Sequence, residues 1–337
     1  MQIQENVDLK PFNTFGISAS AKYFIHTDDE KTIEEALLFT RDKGENLMIL
    51  GGGSNVLFTR DFNGLIIHLQ NKGIEATNED DTVLVSANAG ENWHQFVMYC
   101  IENQYCGIEN LSLIPGCVGA SPMQNIGAYG VEIKDFFHSL EAIHIKTGEI
   151  HTFYKDDCHF GYRDSVFKNK HKNEYIITKV KFRLKTTPDL NVSYGAIMQE
   201  LEKMNVCRPG IKEVSQAVIN IRKSKLPDPA LIGNAGSFFK NPVVKKELAQ
   251  QLKEKYHDFV SFPVDEAHEK LAAGWLIEKA GWKGFREKDY GVHAKQALVL
   301  VNYGRAKGHE ILNLSQRIID DILTRFGVLL EREVNIV

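Results

Sequence analysis

The sequence predicts a mixed α+β protein of two or three domains, and three observations lead there. The 337 residues exceed a usual single domain and let each part bury its own core. Short apolar runs of strand length are interleaved with segments of helical spacing. Two glycine-rich stretches, Gly51–Asn55 and Leu111–Gly130, interrupt that alternation.

Composition narrows the function. A hydrophobic share of 43% and a charged share of 25% are those of an ordinary globular protein. The net charge of -4 argues against a protein that lives on nucleic-acid phosphates. No apolar run approaches membrane-spanning length, so no membrane partner is expected. The opening residues MQIQENVDLKPFNTFG have no basic head and no apolar h-region, and a cytoplasmic location follows as an expectation. Cys100, Cys106, Cys117, Cys158 and Cys207 are odd in number and contain no C-x-x-C pair. Reduced thiols are expected, with no disulfide frame and no metal site.

Along the chain, Asn13-Thr14-Phe15-Gly16 reads as a turn, and Lys31 to Lys43 as a helix with Ile33, Ala36, Leu37 and Phe39 near one face. A strand, Leu47 to Leu50, runs into Gly51-Gly52-Gly53-Ser54-Asn55. Consecutive glycines let backbone N–H groups converge on an anion, and Ser54 and Asn55 add side-chain donors; a plain tight turn is the alternative. A Rossmann fingerprint would need a further spaced glycine opening a helix, and Val56-Leu57-Phe58 stands there instead. Strands Leu65 to Leu69 and Thr82 to Ala87 precede a helix, Glu91 to Asn103, that buries Trp93, Phe96, Val97 and Ile101.

Then comes LSLIPGCVGASPMQNIGAYG, residues 111–130. Gly116, Gly119, Gly127, Gly130, Pro115 and Pro122 rule out a long helix or strand, while Ile114, Val118, Met123 and Ile126 favour burial. Buried irregular backbone needs hydrogen-bond partners. Either another element or a large ligand supplies them. Two such loops, neither of Rossmann type, suggest a dinucleotide laid between two subdomains.

GGGSN followed by IPGCVGASPMQNIGAYG resembles the FAD-binding half of the UDP-N-acetylenolpyruvoylglucosamine reductases, the flavoenzymes that complete UDP-N-acetylmuramate. The resemblance runs from Asn13 to the end of the chain. It implies the two-subdomain FAD-binding fold of the vanillyl-alcohol oxidase type, an α+β architecture, plus a C-terminal α/β substrate-binding domain. The implied boundaries are 1–67 and 68–210 for the FAD-binding subdomains and 211–327 for the substrate domain. Residues 328–337 would return to the second subdomain or to the active site. Non-covalent FAD is implied on Gly51, Gly52, Gly53, Ser54, Asn55, Pro115, Ser121, Asn125 and Gly127, with NADPH as co-substrate. The protein is expected to be a monomer.

Later motifs follow in order. Leu140 to Ile145 and Ile150 to Tyr154 read as a hairpin around Thr147-Gly148, and Tyr175 to Leu184 as a strand. Between them FGYRDS carries Arg163, by itself a surface ion-pair candidate; the resemblance makes it the catalytic arginine, with Tyr162 beside the substrate. Tyr194 of Ser193-Tyr194-Gly195 matches a tyrosine loop that closes over the substrate diphosphate; a turn before a helix is the plain alternative. Composition shifts at Arg208-Pro209-Gly210, the best boundary, followed by a helix Ile211 to Arg222 and an extended, proline-stiffened Lys225-Leu226-Pro227-Asp228-Pro229. In GNAGSFFKNP a hydrolase elbow is excluded because Phe239 stands where glycine is required. The resemblance makes Ser237 the proton donor, with Lys225 and Asn241 on the nucleotide diphosphate or sugar.

Lys270 to Ala280 reads as a helix, Ala297 to Val301 as a buried strand, Glu310 to Phe326 as an amphipathic helix and Val328 to Val337 as a final strand. Gln296 matches a substrate-contacting glutamine. In that strand Glu331 and Glu333 would share a face; the family pattern places the catalytic carboxylate at Glu333. The chemistry is coherent. A planar guanidinium steadies the charge that builds when hydride reaches an enolpyruvyl group, and a hydroxyl then protonates the carbanion. The rivals are a flavin oxidase of the same fold class, with Cys117 as a possible tether, and a non-catalytic nucleotide-sugar binder.

Overall fold

A computed structural model describes all 337 residues. They group into two compact units: Met1–Val7, Ala21–Gly52 and Asn63–Ser224 in the first, Asp8–Ser20, Gly53–Phe62 and Lys225–Val337 in the second.

The first unit holds two large sheets and a short two-stranded one, Gly127–Ala128 with Val131–Glu132. Strands β1 (Gln4–Asp8), β2 (Ser20–Thr27), β3 (Asn46–Leu50) and β4 (Phe62–Leu69) lie in the order β1-β2-β4-β3, with β3 and β4 parallel. Helix α1 (Glu30–Lys43) links β2 to β3. It starts at Asp29, whose carboxylate accepts from the Thr32 N–H at 2.8 Å, and stops at Gly44 with φ 65°. Its Ile33, Ala36 and Leu37 face Ile25, Leu65, Ile67 and Leu69 in one core.

Strands β5 (Ile74–Glu79), β6 (Thr82–Asn88), β7 (Phe137–His144), β8 (Ile150–Tyr154) and β9 (Tyr175–Lys185) form an antiparallel sheet ordered β8-β7-β9-β6-β5. Helix α2 (Trp93–Glu102) buries Trp93, Phe96, Val97 and Ile101 in the core that also holds Val83, Val85, Phe182 and Leu184. Helices α3 (Gly195–Lys203) and α4 (Ile211–Lys225) pack Ile197 and Leu201 with Val214, Ala217, Val218 and Ile221. Arg208-Pro209-Gly210 only separates two helices of one unit, and the break falls after Ser224.

In the second unit, β10 (Val243–Lys245), helix α5 (Lys246–Lys255), β11 (Ser261–Pro263) and β12 (His268–Leu271) include a small sheet ordered β10-β12-β11. Helix α6 (Ala273–Lys279) follows, then β13 (Tyr290–Val292), β14 (Leu300–Asn302) and the long helix α7 (Gly308–Phe326). Three sequence readings change here. Lys270 and Leu271 belong to a strand and not to the start of α6, because Lys270 pairs with Val243 on one side and Phe262 on the other. The strand expected from Ala297 starts only at Leu300, because the Val299 N–H closes a turn on the Gln296 carbonyl at 3.1 Å. The final strand shrinks to Asn335–Ile336, parallel to Val56–Leu57.

Early and late segments of this unit are tied by side-chain amides. Asn13 donates to the carbonyls of Leu9 and Ile17 and accepts from the Ile17 N–H, at 2.7, 2.9 and 3.0 Å. The Asn302 amide donates to the Phe15 carbonyl at 2.8 Å, and the Asn234 N–H reaches Thr14.

Candidate active site

In the first unit the two glycine-rich stretches meet. A Cβ on Gly52 would stand 3.1 Å from the Gly116 Cα, and one on Gly51 3.5 Å from the Cys117 Sγ. The result is a close-set cradle in which a side chain on Gly52 would crowd the Gly116 backbone. Burial pushes the Cys117 thiol up, so it is held protonated, although Lys72 and the Gly52 N–H oppose the shift.

The loop satisfies much of its own backbone. Val118 and Gly119 donate to Glu91 and Ala89 at 2.9 Å each, and the Ser121 hydroxyl donates to Val118 at 2.7 Å. Asn125 donates to Glu132 and to the Gly161 carbonyl and accepts from the Lys134 N–H, at 2.9, 3.0 and 3.1 Å. The side chains of Ser121 and Asn125 therefore hold the loop's shape. Pro115 is exposed, and Gly127 has Glu132 within 2.7 Å of where a Cβ would be.

Arg163 is built onto that loop. Gly161 and Asp164 close a tight turn, and Arg163 takes φ 52°, unusual for a residue with a side chain. One guanidinium nitrogen donates to the Gly127 carbonyl at 2.7 Å, and the Ser165 hydroxyl donates to Met123, also at 2.7 Å. The Tyr162 ring lies 5.4 Å from the guanidinium carbon. Tyr194 is the residue before α3, exposed, with its ring edge-on to Tyr129 at 5.3 Å.

Tyr129 leads to a residue that sequence reasoning missed. Its hydroxyl lies beside the Arg222 guanidinium, whose Nε donates to the Leu113 carbonyl at 3.2 Å. Burial lowers the Arg222 pKa; Tyr129 opposes this and Arg163 adds to it. The signal was present in the sequence. Ser215 and Arg222 are polar positions seven apart on the apolar face of α4, and the Ser215 hydroxyl meets that of Ser112 at 2.7 Å.

Ser237 and Glu333 come together in the second unit. The Glu333 N–H donates to the Phe238 carbonyl at 2.8 Å, and Phe239 bridges Arg332. The Asn55 amide, from GGGSN, donates to the Glu333 carbonyl at 3.3 Å, and the Asn335 N–H returns to Asn55 at 3.1 Å. Gly53 is locked beneath them with φ 58°, where a Cβ would strike the Phe12 carbonyl; Ser54 is half-buried beside it. Ser237 is half-buried and its hydroxyl makes no hydrogen bond within the chain. Glu331 and Glu333 flank Arg332, which bridges Phe239, and their surroundings differ. Glu331 is exposed and pairs with Lys240 at 3.3 Å, whereas Glu333 is half-buried. Asn241 and Gln296 meet at the start of α6: Asn241 accepts from the Ala273 N–H at 3.0 Å, and a Cβ on Gly274 would be 3.4 Å from the Gln296 Oε1. Lys225 is the exposed last residue of α4, not part of the extended crossing. Arg163 thus lies in the first unit, and Ser237 and Glu333 in the second.

Residues 21–154 match the family model described as an FAD binding domain. Residues 228–337 match that of the C-terminal domain of UDP-N-acetylenolpyruvoylglucosamine reductase. The reductase of that name from Pseudomonas savastanoi pv. phaseolicola is 49% identical over 337 residues, covering 100% of this chain and 99% of its own. The one from Flavobacterium johnsoniae is 51% identical over 339 residues, with 100% of both chains covered. The chain belongs to the UDP-N-acetylenolpyruvoylglucosamine reductase family. It is an FAD-dependent oxidoreductase, and the glycine cradle fits a cofactor whose phosphates need close backbone approach.

Solved structures agree on the fold. The UDP-N-acetylenolpyruvylglucosamine reductase of Thermus caldophilus superposes with a TM-score of 0.69 at 22% identity, covering 100% of this chain and 99% of that one. p-Cresol methylhydroxylase gives 0.52 at 12% identity, over 98% and 84%. The fold is therefore the two-subdomain FAD-binding type of the vanillyl-alcohol oxidase class, followed by the reductase C-terminal domain. No helix is long and apolar enough to cross a membrane.

Proposed function

We propose that this enzyme reduces the enolpyruvyl group of UDP-N-acetylglucosamine enolpyruvate to give UDP-N-acetylmuramate, a peptidoglycan precursor for cell-wall synthesis, with NADPH as the electron source. The observation that supports the proposal is the backbone pairing of the Ser237–Phe239 stretch with the segment that carries Glu333, in which the Ser237 hydroxyl has no hydrogen bond within the chain and Glu333 is half-buried. Full-length similarity to reductases of that name supports the same reading.

FAD, when bound, supplies the two-electron chemistry, taking hydride from NADPH and giving it to carbon. Gly51, Gly52, Gly53, Ser54, Asn55, Pro115, Ser121, Asn125 and Gly127 would hold it. Once hydride has reached the substrate's methylene carbon, the displaced π electrons rest on the adjacent carbon and its carboxylate. Arg163 bears a fixed, planar cation that need not reorganise as this charge builds. Its turn, pinned to Met123 and Gly127, pre-orients it. Ser237 then gives its proton to the carbanion, and Glu333 orients the polar groups around it. Tyr162, Tyr194, Lys225, Asn241 and Gln296 would hold the UDP-sugar, and the absence of a second nucleotide fingerprint favours one pocket used in turn by NADPH and substrate. The enzyme would work as a cytoplasmic monomer. A flavin tether on Cys117 is disfavoured because burial keeps that sulfur a thiol.

Ser237→Ala separates the half-reactions. Stopped-flow absorbance should show NADPH bleaching the flavin at the parent rate, while reoxidation by the enolpyruvyl substrate slows by about 10²-fold or more. Equal slowing of both would remove Ser237 from the proton transfer.

A further inference from the structure

The second unit carries a cleft of about 340 Å³ that the proposed reaction does not use. Lys10, Arg60, Arg305, Lys307 and His309 line it, with Asp61 as the one acidic side chain. Such a concentration of cations stands out in a chain of net charge -4. It is also unneutralised. Lys10, Arg60, Arg305 and Lys307 form no ion pair, whereas Lys240, Lys253 and Arg317 in the same unit are paired with Glu331, Glu269 and Glu287 at 3.3, 2.7 and 2.9 Å. The nearby carboxylates are turned to other donors: Asp61 accepts from the Ser20 N–H at 2.7 Å, and Asp8 from the Lys10 N–H and the Ser18 hydroxyl at 3.1 Å each.

The walls are held in place. Gly308 opens α7, and a Cβ there would be 1.8 Å from the Phe58 carbonyl, so the helix start is pressed against the Phe58–Asp61 loop. Glu310 in the first turn caps this 19-residue helix, its carboxylate accepting from the Lys307 N–H at 2.8 Å, and the helix start faces the same loop. Asn302 accepts from the N–H groups of Gly304 and Ala306 at 2.8 and 3.0 Å, fixing the approach to Arg305 and Lys307. The apolar liners Phe58 and Ile17 are 0% and 2% exposed, so no aromatic face is offered for a base to stack on. A small cleft with four exposed, unpaired cations and no stacking surface suits phosphates and not a nucleobase.

We propose that this cleft binds a compact polyphosphate, either inorganic triphosphate or the phosphate chain of a nucleoside triphosphate, as a second anion site apart from the catalytic residues. The proposal stands or falls independently of the reductase reading. Its test is calorimetric titration of the FAD-loaded enzyme with inorganic triphosphate at constant ionic strength. Saturable binding below millimolar is expected, at least tenfold weaker in R60Q/R305Q, retained in R60K/R305K and unaffected by K225Q. ATP matching triphosphate while AMP fails identifies the phosphate chain as the recognised part. The proposal is overturned by an absence of binding, by an affinity unchanged in R60Q/R305Q, or by sulfate competing as well as triphosphate. Weakening by K225Q equal to that of R60Q/R305Q would also overturn it, placing the anion at the proposed substrate diphosphate site.

Discussion

Arg163 shows how much a single backbone angle can decide. A residue with a side chain held at φ 52° costs on the order of 1–3 kcal/mol, and it persists only where its surroundings fix it. Here the Gly161–Asp164 turn and the contacts to Gly127 and Met123 do so, and they aim a cation that a relaxed loop would let wander. His68 illustrates a different single-residue effect. Its ring is half-buried, and its Nδ1 lies 2.9 Å from that of His26; burial first, then His26, push its pKa down to about 4, and a bond to Gly51 opposes them. The unfolded chain, with a histidine near 6.5, therefore binds the proton more readily than the folded one between about pH 4 and 6.5. Stability should rise with pH across that window and level off above it. The slope should fall well short of the one-proton limit of about 1.4 kcal/mol per pH unit, since the ring is part exposed. Urea midpoints measured from pH 4 to 8 check this, and His68→Gln should flatten the profile.

At the scale of elements, two glycines at helix starts make opposite demands. Gly308 opens α7 against the Phe58 carbonyl, with a Cβ position 1.8 Å away. Gly195 opens α3 with nothing within 4 Å. Gly308→Ala should force the long helix off its neighbour and cost about 1–3 kcal/mol. Gly195→Ala should be neutral or slightly stabilising, because alanine reduces unfolded-chain entropy at no steric cost. Thermal unfolding of the two variants side by side decides it. The same logic of partners explains Lys270 and Leu271. Their spacing suits a helix, yet two strands offer them ladder partners, and tertiary pairing outweighs local preference.

Across the whole molecule, the second unit is assembled from three separate stretches of chain, 8–20, 53–62 and 225–337. The family model of the C-terminal domain starts at 228, but that piece leaves partners behind. Asn335–Ile336 pairs with Val56–Leu57, Asn234 with Thr14, and Asn302 with Phe15. Residues 225–337 expressed alone should therefore lack the sharp, cooperative urea transition of the full chain, followed by circular dichroism. A transition as steep as that of the parent would show that the early segments are dispensable. Much of this was legible in the residues. Helices α1 and α2 and the β7–β8 hairpin follow from periodicity and turn chemistry, which depend on a few neighbouring residues, whereas Arg163 and Ser237 are singled out by the family resemblance alone. What the tertiary structure alone decided lies at long range. It brought Arg222 beside Tyr129, paired Glu331 with Lys240, and joined Asn55 to Asn335 across 280 residues. Local spacing carries no record of which distant backbone will supply a hydrogen-bond partner, because that choice is made only when burial forces every peptide group to find one.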